Sequence, residues 1–275
     1  MSNSITEIGE STFADCTALR DFKISKSVTE IGSGAFYGCT SLKHIEIPNS
    51  VINLGDKQKF VHYVPEDVEK CDEIFTGVFE GCTGLTSVEI PNSVTKIVHH
   101  AFEGCTGLTS VEIPNSVTEI GERAFAGCTG LERIECDDKN EYYKSIDGVL
   151  FDKNVSVLLQ IPDGKQADIY KIPSNVIQLR ESSICCEKIN KLFVPSSVSN
   201  IDEDAIYAEN IKEIFIYHEH PEEIIMEKGR PIKQTDCVLY VPIGTENSYR
   251  NHWFFGEHFK EVIPIKMKPY NEEPD

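Results

Sequence analysis

The stretch LTSVEIPNSVTEIGERAFAGCTG, Leu108 to Gly130, follows an almost identical copy, LTSVEIPNSVTKIVHHAFEGCTG, Leu85 to Gly107. The cysteine of this phrase occurs five times along the chain, as Cys16, Cys39, Cys82, Cys105 and Cys128. The intervals are 23, 43, 23 and 23 residues, so the unit has 23 residues and one copy carries an insertion, Asp56–Phe75. Self-similarity at a fixed period predicts a repeat architecture in which neighbouring units share one core.

Each repeat has the pattern of a strand followed by turns. Leu108, Val111 and Ile113 fall on one side, and Pro114 is expected to end the strand because it has no amide hydrogen. Gly121 suits a sharp turn with positive φ, and the Ala-Phe-x-Gly-Cys segment is spaced like a short helical turn that faces a core. The predicted core row therefore contains the five cysteines and Phe13, Phe36, Phe79, Phe102 and Phe125.

The consensus LxxVxIPxxVxxIGxxAFxGC resembles the BspA-type leucine-rich repeat, found in cell-surface and secreted proteins of anaerobic bacteria and some protists. The similarity is close over Ile5–Cys136, and weaker copies follow at Tyr170–Ile184, Ile189–Asn210 and Ile211–Ile216. It implies a repeat solenoid, a right-handed leucine-rich-repeat coil of mainly short β-strands with short helical turns. The resemblance also implies a non-enzymatic recognition module.

We expect a single solenoid domain over residues 1–275. Its predicted parts are regular repeats (1–138, with the insertion 56–75), a hairpin segment (139–168), degenerate repeats (169–220) and a C-terminal cap (221–275). Two apolar runs around Asp-Lys-Asn in Ile146–Gly164 indicate a β-hairpin insertion. Cys237–Ile265 resembles the family's strand-helix-strand cap, in which Trp253, Phe254, Phe255 and Phe259 would cover the last coil.

The charge narrows the choice of partners. The chain has 45 acidic and 26 basic residues, a formal net charge of -19 and a pI of about 4.8. Such a surface repels nucleic acid and anionic membranes, so cations or basic proteins are the plausible partners, although the charge also serves solubility alone. No apolar run approaches the roughly 18 residues of a membrane span, so no membrane insertion is expected.

The location in the cell has two readings. The start, MSNSITEIGESTF, has no basic region followed by an apolar stretch and therefore no signal peptide. Either the protein is cytoplasmic, or a leader has been removed and Met1 added, in which case it is secreted or at the cell surface, as the resemblance implies. The first coil begins mid-phrase, so association through an uncapped N-terminal edge is a further expectation.

The cysteines and histidines give little indication of a disulfide, a metal site or a catalytic site. One cysteine per coil behaves as a small apolar residue, so we expect free buried thiols and neither disulfides nor zinc. The off-row cysteines are Cys71, Cys136, Cys185, Cys186 and Cys237. His99 and His100 replace turn residues, whereas His218 and His220 lie beside acids and provide the only metal-enzyme hypothesis. No nucleophile with a base and no phosphate loop is recognisable, so we expect no cofactor, no metal and no enzyme activity.

The outward side of the strands is the most informative surface. The fifth positions of the strand motif carry Lys23, Glu46, Glu89, Glu112, Glu135, Phe193 and Phe215. Two interpretations of the glutamates stay open. They form a strip that recognises a basic protein or a host surface, or they are copies of one solvated residue that duplication has repeated without a function. Phe193 and Phe215 are either an exposed anchor or covered by the cap or the hairpin. Recognition at this strand face is the favoured function, and a structural spacer is the alternative. The insertion, with Lys57, Lys59, Phe60, His62 and Tyr63, is a second candidate surface.

Overall fold

Each 23-residue repeat forms one coil with two short strands in the computed structural model, which describes residues 4–55, 77–207, 209–226, 234–266 and 268–270. The insertion Asp56–Phe75, including Cys71, lies outside these residues. The chain divides into two compact units, Met1–Gly148 and Val149–Asp275. A single domain over the whole chain stays a prediction.

The first unit contains only short strands and turns in its described part. In chain order, its strands are β1 Glu7–Ile8, β2 Asp21–Lys23, β3 Glu30–Ile31, β4 His44–Glu46, β5 Asn53–Leu54, β6 Ser87–Glu89, β7 Lys96–Ile97, β8 Ser110–Ile113, β9 Glu119–Ile120, β10 Arg133–Cys136 and β11 Tyr143–Ile146. Strands β1, β3, β5, β7 and β9 form one parallel sheet, one strand from each coil. The second strands of the coils form two parallel ladders, β2-β4-β6 and β8-β10.

The alternation that the sequence predicts is confirmed in β8. Val111 and Ile113 are buried, whereas Ser110 and Glu112 are exposed. The strand ends at Ile113, directly before Pro114. The coil therefore presents its apolar side chains to a common interior and its polar side chains to solvent.

The predicted phenylalanine row runs through the interior of the first unit. Phe36, Phe79, Phe102 and Phe125 stack with successive ring centroids 5.4, 5.4 and 5.5 Å apart and interplanar angles of 14°, 13° and 1°. All four rings are buried. Burial of such a side chain contributes roughly 1.5–3 kcal/mol, so this row is a principal source of stability.

The cysteine row is anchored to the phenylalanine row by hydrogen bonds between coils. The thiols of Cys82, Cys105 and Cys128 donate to the carbonyl oxygens of Phe36, Phe79 and Phe102, each at 3.0 Å. Burial raises the pKa of Cys82 to about 12, which makes this thiol inert at neutral pH. Cys16 departs from the prediction: it is exposed and Phe13 is half-buried, since the described chain has no coil before theirs.

Two local expectations about the turns are wrong. The Ala-Phe-x-Gly-Cys segments form hydrogen-bonded turns and no helix, because Gly104 and Gly127 adopt φ of about +70° and stop the turn. Gly121 does not adopt positive φ. Arg123, two residues later, adopts this conformation instead, with φ of 56°. Gly121 is needed for close approach instead, because a Cβ there would lie 2.3 Å from the backbone nitrogen of His99.

The second unit continues the two-strand pattern and adds the cap. In chain order, its elements are β12 Val149–Asp152, β13 Val157–Gln160, β14 Ile169–Lys171, β15 Gln178–Leu179, β16 Lys191–Val194, β17 Asn200–Ile201, β18 Glu213–Ile216, a 3-10 helix Pro221–Glu223, β19 Ile225–Met226, β20 Gln234–Pro242, α1 Glu246–Asn251, α2 Phe255–His258 and β21 Phe259–Ile265. Strands β13, β15, β17 and β19 form one parallel ladder, and β14, β16, β18, β20 and β21 form another.

The hairpin and the cap are confirmed. Strand β12 pairs with β13 antiparallel, and the Asp152 carboxylate accepts the backbone amides of Ser156 and Val157 at 2.6 and 2.7 Å, which fixes the connecting turn. Phe254 and Phe255 of the cap are buried, as expected. The prediction that Trp253 covers the last coil is wrong, because its side chain is 53% exposed.

Candidate functional site

The four predicted glutamates of the first unit form what we call the acidic strip: Glu46, Glu89, Glu112 and Glu135. Glu46 is in register with Glu89 on β4 and β6, and Glu112 is in register with Glu135 on β8 and β10. All four side chains are exposed. The β4–β6 register shows that the strands before and after the insertion pair as those of neighbouring repeats do.

The strip concentrates negative charge that the described residues do not neutralise. Paired strands lie about 4.8 Å apart, and like charges directly opposite each other are destabilising. None of the four carboxylates forms an ion pair with any residue that the structure describes. On the other strand row, by contrast, Lys96 pairs with Glu119 at 2.5 Å. The acidic strip therefore presents a row of carboxylates to solvent.

In the second unit the same strand position carries what we call the aromatic ladder: Phe193, Phe215 and Tyr240. The three residues are in register on β16, β18 and β20. Their rings stack with centroids 4.5 and 4.4 Å apart and interplanar angles of 5° and 8°. Because the faces cover one another, Phe193 is only 6% exposed and Phe215 is half-buried.

Of the two alternatives for Phe193, an exposed anchor or a covered side chain, the structure supports the covered one. Tyr240, which the sequence reasoning missed, completes the ladder; the alternation of Cys237, Leu239 and Val241 in the cap strand was the signal that placed it outward.

A polar network holds the outer side of the aromatic ladder. The Tyr240 hydroxyl donates to Glu213 Oε1 at 3.1 Å, and Lys191 Nζ lies 2.7 Å from Glu213 Oε2. Burial and the hydrogen bond to Glu213 raise the pKa of Tyr240. Tyr270 donates from its hydroxyl to the carbonyl oxygen of Phe193 at 2.9 Å. The ladder is therefore held in place by contacts within the second unit.

The repeats themselves identify the family. The sequence profile of the BspA type leucine rich repeat region matches in six copies over residues 1–60, 69–160 and 164–224. The chain belongs to the BspA-type leucine-rich repeat family. No curated protein matches it.

Solved structures show the same fold as this BspA-type chain. The pneumococcal vaccine antigen PcpA is 16% identical, with a TM-score of 0.57 over 96% of this chain and 85% of PcpA. A leucine rich cell surface protein from Faecalibacterium prausnitzii is 22% identical, with a TM-score of 0.56 over 96% of this chain and 84% of that protein. A leucine-rich repeat protein from Eubacterium ventriosum is 17% identical, with a TM-score of 0.53 over 88% of this chain and 71% of that protein. These likenesses confirm the repeat solenoid.

In the turn segments of these BspA-type repeats, the Glu103 carboxylate contacts two basic side chains. His100 Nδ1 contacts Glu103 Oε2, and Arg123 Nη2 donates to Glu103 Oε1 at 2.7 Å. Burial alone would raise the pKa of Glu103, but the hydrogen bonds from His100 and Arg123 outweigh it and hold the pKa at about 2. For neighbouring Glu80, burial raises the pKa, and the bond from the Gly77 amide opposes this. The network ties adjacent coils together.

Glu103→Gln should make the protein less stable at pH 6 by on the order of 2 kcal/mol. Because the pKa in the folded state is about 2, below the ordinary 4.5, the ionised carboxylate stabilises the fold above pH 4.5. That contribution is lost as the pH falls from 4.5 towards 2, so the difference between variant and parent should shrink over this interval. Urea unfolding at several pH values measures it, with Glu10→Gln, at an exposed position outside the acidic strip, as control. A difference that does not change with pH would contradict the assignment.

The predicted histidine pair does not form a metal site in the described structure. His218 is buried, and its Nδ1 accepts the backbone amide of His220 at 3.2 Å. His220 is exposed, with its Nδ1 3.4 Å from Glu222 Oε1. Across the described residues, no group of three or more His, Cys, Asp or Glu side chains is arranged to hold a metal. His99 Nδ1 accepts the amide of Glu122 and so serves the turn.

The off-row cysteines also have local structural contacts. Cys185 donates to the Ser182 carbonyl at 3.2 Å, and Cys186 to the Lys165 carbonyl at 3.3 Å. Cys237 is buried, and burial raises its pKa to about 12. No disulfide joins the cysteines within the described ranges. In the same ranges, no helix combines the length and the apolar character that crossing a membrane requires.

Proposed function

We propose that this protein is a non-enzymatic recognition module that binds a basic protein surface through the strand face of its repeats, in adhesion at a bacterial cell surface. The acidic strip is the observation that carries the proposal. Its carboxylates are exposed, are in register within the pairs Glu46–Glu89 and Glu112–Glu135, and form no ion pairs among the described residues, so a cationic partner relieves repulsion that the free protein bears.

The form of the surface supports the same conclusion. Stacked repeats present long, shallow faces on which many modest contacts add up. A structural neighbour is described as a cell surface protein, and another as a vaccine antigen, which favours a location outside the cell. Complementary charge mainly accelerates association and selects partners, so we expect binding that weakens with salt.

Reversing the charge of the strip, with Glu89→Lys, Glu112→Lys and Glu135→Lys combined, is expected to weaken binding about tenfold, because three exposed ion pairs are each worth a few tenths of a kcal/mol or more. The measurement is the affinity of the full chain for immobilised host-cell surface protein fractions at low and physiological salt. Glu46 is left intact.

The matched control is Glu7→Lys, Glu10→Lys and Glu30→Lys, which changes the net charge equally at exposed positions off the strip. Equal losses in the two triple variants would show that net charge alone matters and would contradict the strand-face proposal. Unchanged binding in both, with both proteins folded, would favour a structural spacer.

A further inference from the structure

A cavity of about 30 Å³ lies in the second unit between the last repeat coil and the cap. Its walls are mostly apolar and include Ile201, Ala205, Ile206, Phe254, Phe255 and Phe259. A site of this volume has room for two or three water molecules, at roughly 10–15 Å³ each, but apolar walls offer water few hydrogen bonds. The cavity therefore suits a small apolar group.

Three large apolar side chains that are next in sequence to lining residues are exposed to solvent. Tyr207, Ile225 and Trp253 are 62%, 66% and 53% exposed. Each is the sequence neighbour of a lining residue, and the Trp253 ring lies 5.8 Å from that of Phe254. Trp253 thus gives the cavity region an exposed apolar neighbour, and exposed apolar surface is typical of interaction sites.

The charged part of the lining has one sign. Three consecutive acidic residues, Asp202, Glu203 and Asp204, line the cavity, and no Lys, Arg or His does so among the described residues. Glu203 is exposed, and Asp202 accepts the side-chain amide of Gln178 at 2.8 Å. An apolar recess beside carboxylates is complementary to an apolar group flanked by cations.

We propose that this cavity is a second docking site, which takes one aliphatic side chain from a partner segment whose adjacent residues are lysine or arginine. Val194 of β16 and Ile214 and Ile216 of β18 line the cavity from the inner side of their strands, whereas Phe193 and Phe215 of the aromatic ladder lie on the opposite face of the same strands. The cavity is thus separate from the strand face, and the inference does not depend on the acidic strip.

The test uses two blocked peptides, Lys-Lys-Leu-Lys-Lys and Lys-Lys-Ala-Lys-Lys, with the full chain. Trp253 is the only tryptophan of the protein and reports on the cavity region by its fluorescence. The leucine peptide should bind about tenfold more tightly than the alanine peptide, since the additional methylenes enter an apolar site. Ala205→Val, which narrows the cavity, should remove this preference and leave the weak binding of the alanine peptide unchanged.

A second variant, at the surface, tests the same proposal if Ala205→Val does not fold. Glu203→Lys should weaken both peptides about fivefold, because their lysines lose a carboxylate and meet a cation. The triple variant of the acidic strip should keep the leucine preference. Equal affinities for the two peptides, or a preference that survives Ala205→Val in a folded protein, would overturn the proposal. Occupation by a second copy, seen as dimers in sedimentation that Ala205→Val dissociates, would also overturn it.

Discussion

Phe102→Ala is expected to destabilise the protein by about 3–5 kcal/mol. The Phe102 ring is fully buried, 5.4 Å from the ring of Phe79 and 5.5 Å from that of Phe125. Its removal leaves a cavity that both neighbours border, and the hydrogen bond from Cys128 to the Phe102 carbonyl restricts collapse of the coil into that space. Urea unfolding of the full chain, followed by circular dichroism, measures the loss.

Phe13→Ala is the matched control. Phe13 occupies the same repeat position and stacks on Phe36 at 5.3 Å, but it is only half-buried. Because part of the Phe13 side chain already contacts solvent, we expect a loss of less than about 1.5 kcal/mol. If the two variants were equally destabilised, the interior row would not be the source of stability that its burial indicates.

Gly121→Ala is expected to cost about 2–4 kcal/mol, although it adds a single methyl group. The new Cβ would lie 2.3 Å from the backbone nitrogen of His99 and 2.6 Å from the carbonyl carbon of Val98. Those atoms belong to the preceding coil, so relief of the clash requires that the coils move apart and that their strand hydrogen bonds lengthen. Thermal and urea unfolding both report the change.

Gly9 provides the control for this prediction, because it occupies the same position in the first described coil. A Cβ at Gly9 would meet only the Thr12 hydroxyl, at 3.5 Å. Gly9→Ala should therefore change the stability by no more than about 1 kcal/mol in either direction. A tolerated Gly121→Ala would mean that the coils are not held at the close spacing that the structure shows.

The strand pattern and the core rows could be predicted because they repeat. A 23-residue period fixes which residues lie above one another, so Phe102 and Phe125, or Glu112 and Glu135, could be aligned from their numbers alone. The hairpin around Asp-Lys-Asn and the family's cap could be recognised for the same reason: their patterns are local.

What the sequence did not predict depends on neighbours outside one repeat. The exposure of Cys16 follows from its place in the first described coil, and the burial of Phe193 from stacking against Phe215. The role of Gly121 depends on how closely the preceding coil approaches, which no single-repeat pattern contains. The cavity beside the cap likewise forms from residues of β17 and α2 that are far apart in the chain.

The central claim is that successive copies of one phrase share a continuous interior, and the reactivity of their thiols tests it most directly. Native protein is treated with iodoacetamide at pH 8, and each cysteine is followed by mass spectrometry. Cys16 should be modified readily, because it is exposed. Cys82, Cys105 and Cys128 should remain unmodified until the protein is unfolded, since they are buried and the raised pKa of about 12 lowers the thiolate fraction of Cys82 roughly a thousandfold. Modification of Cys82 and Cys105 at the rate of Cys16 would contradict the stacked core.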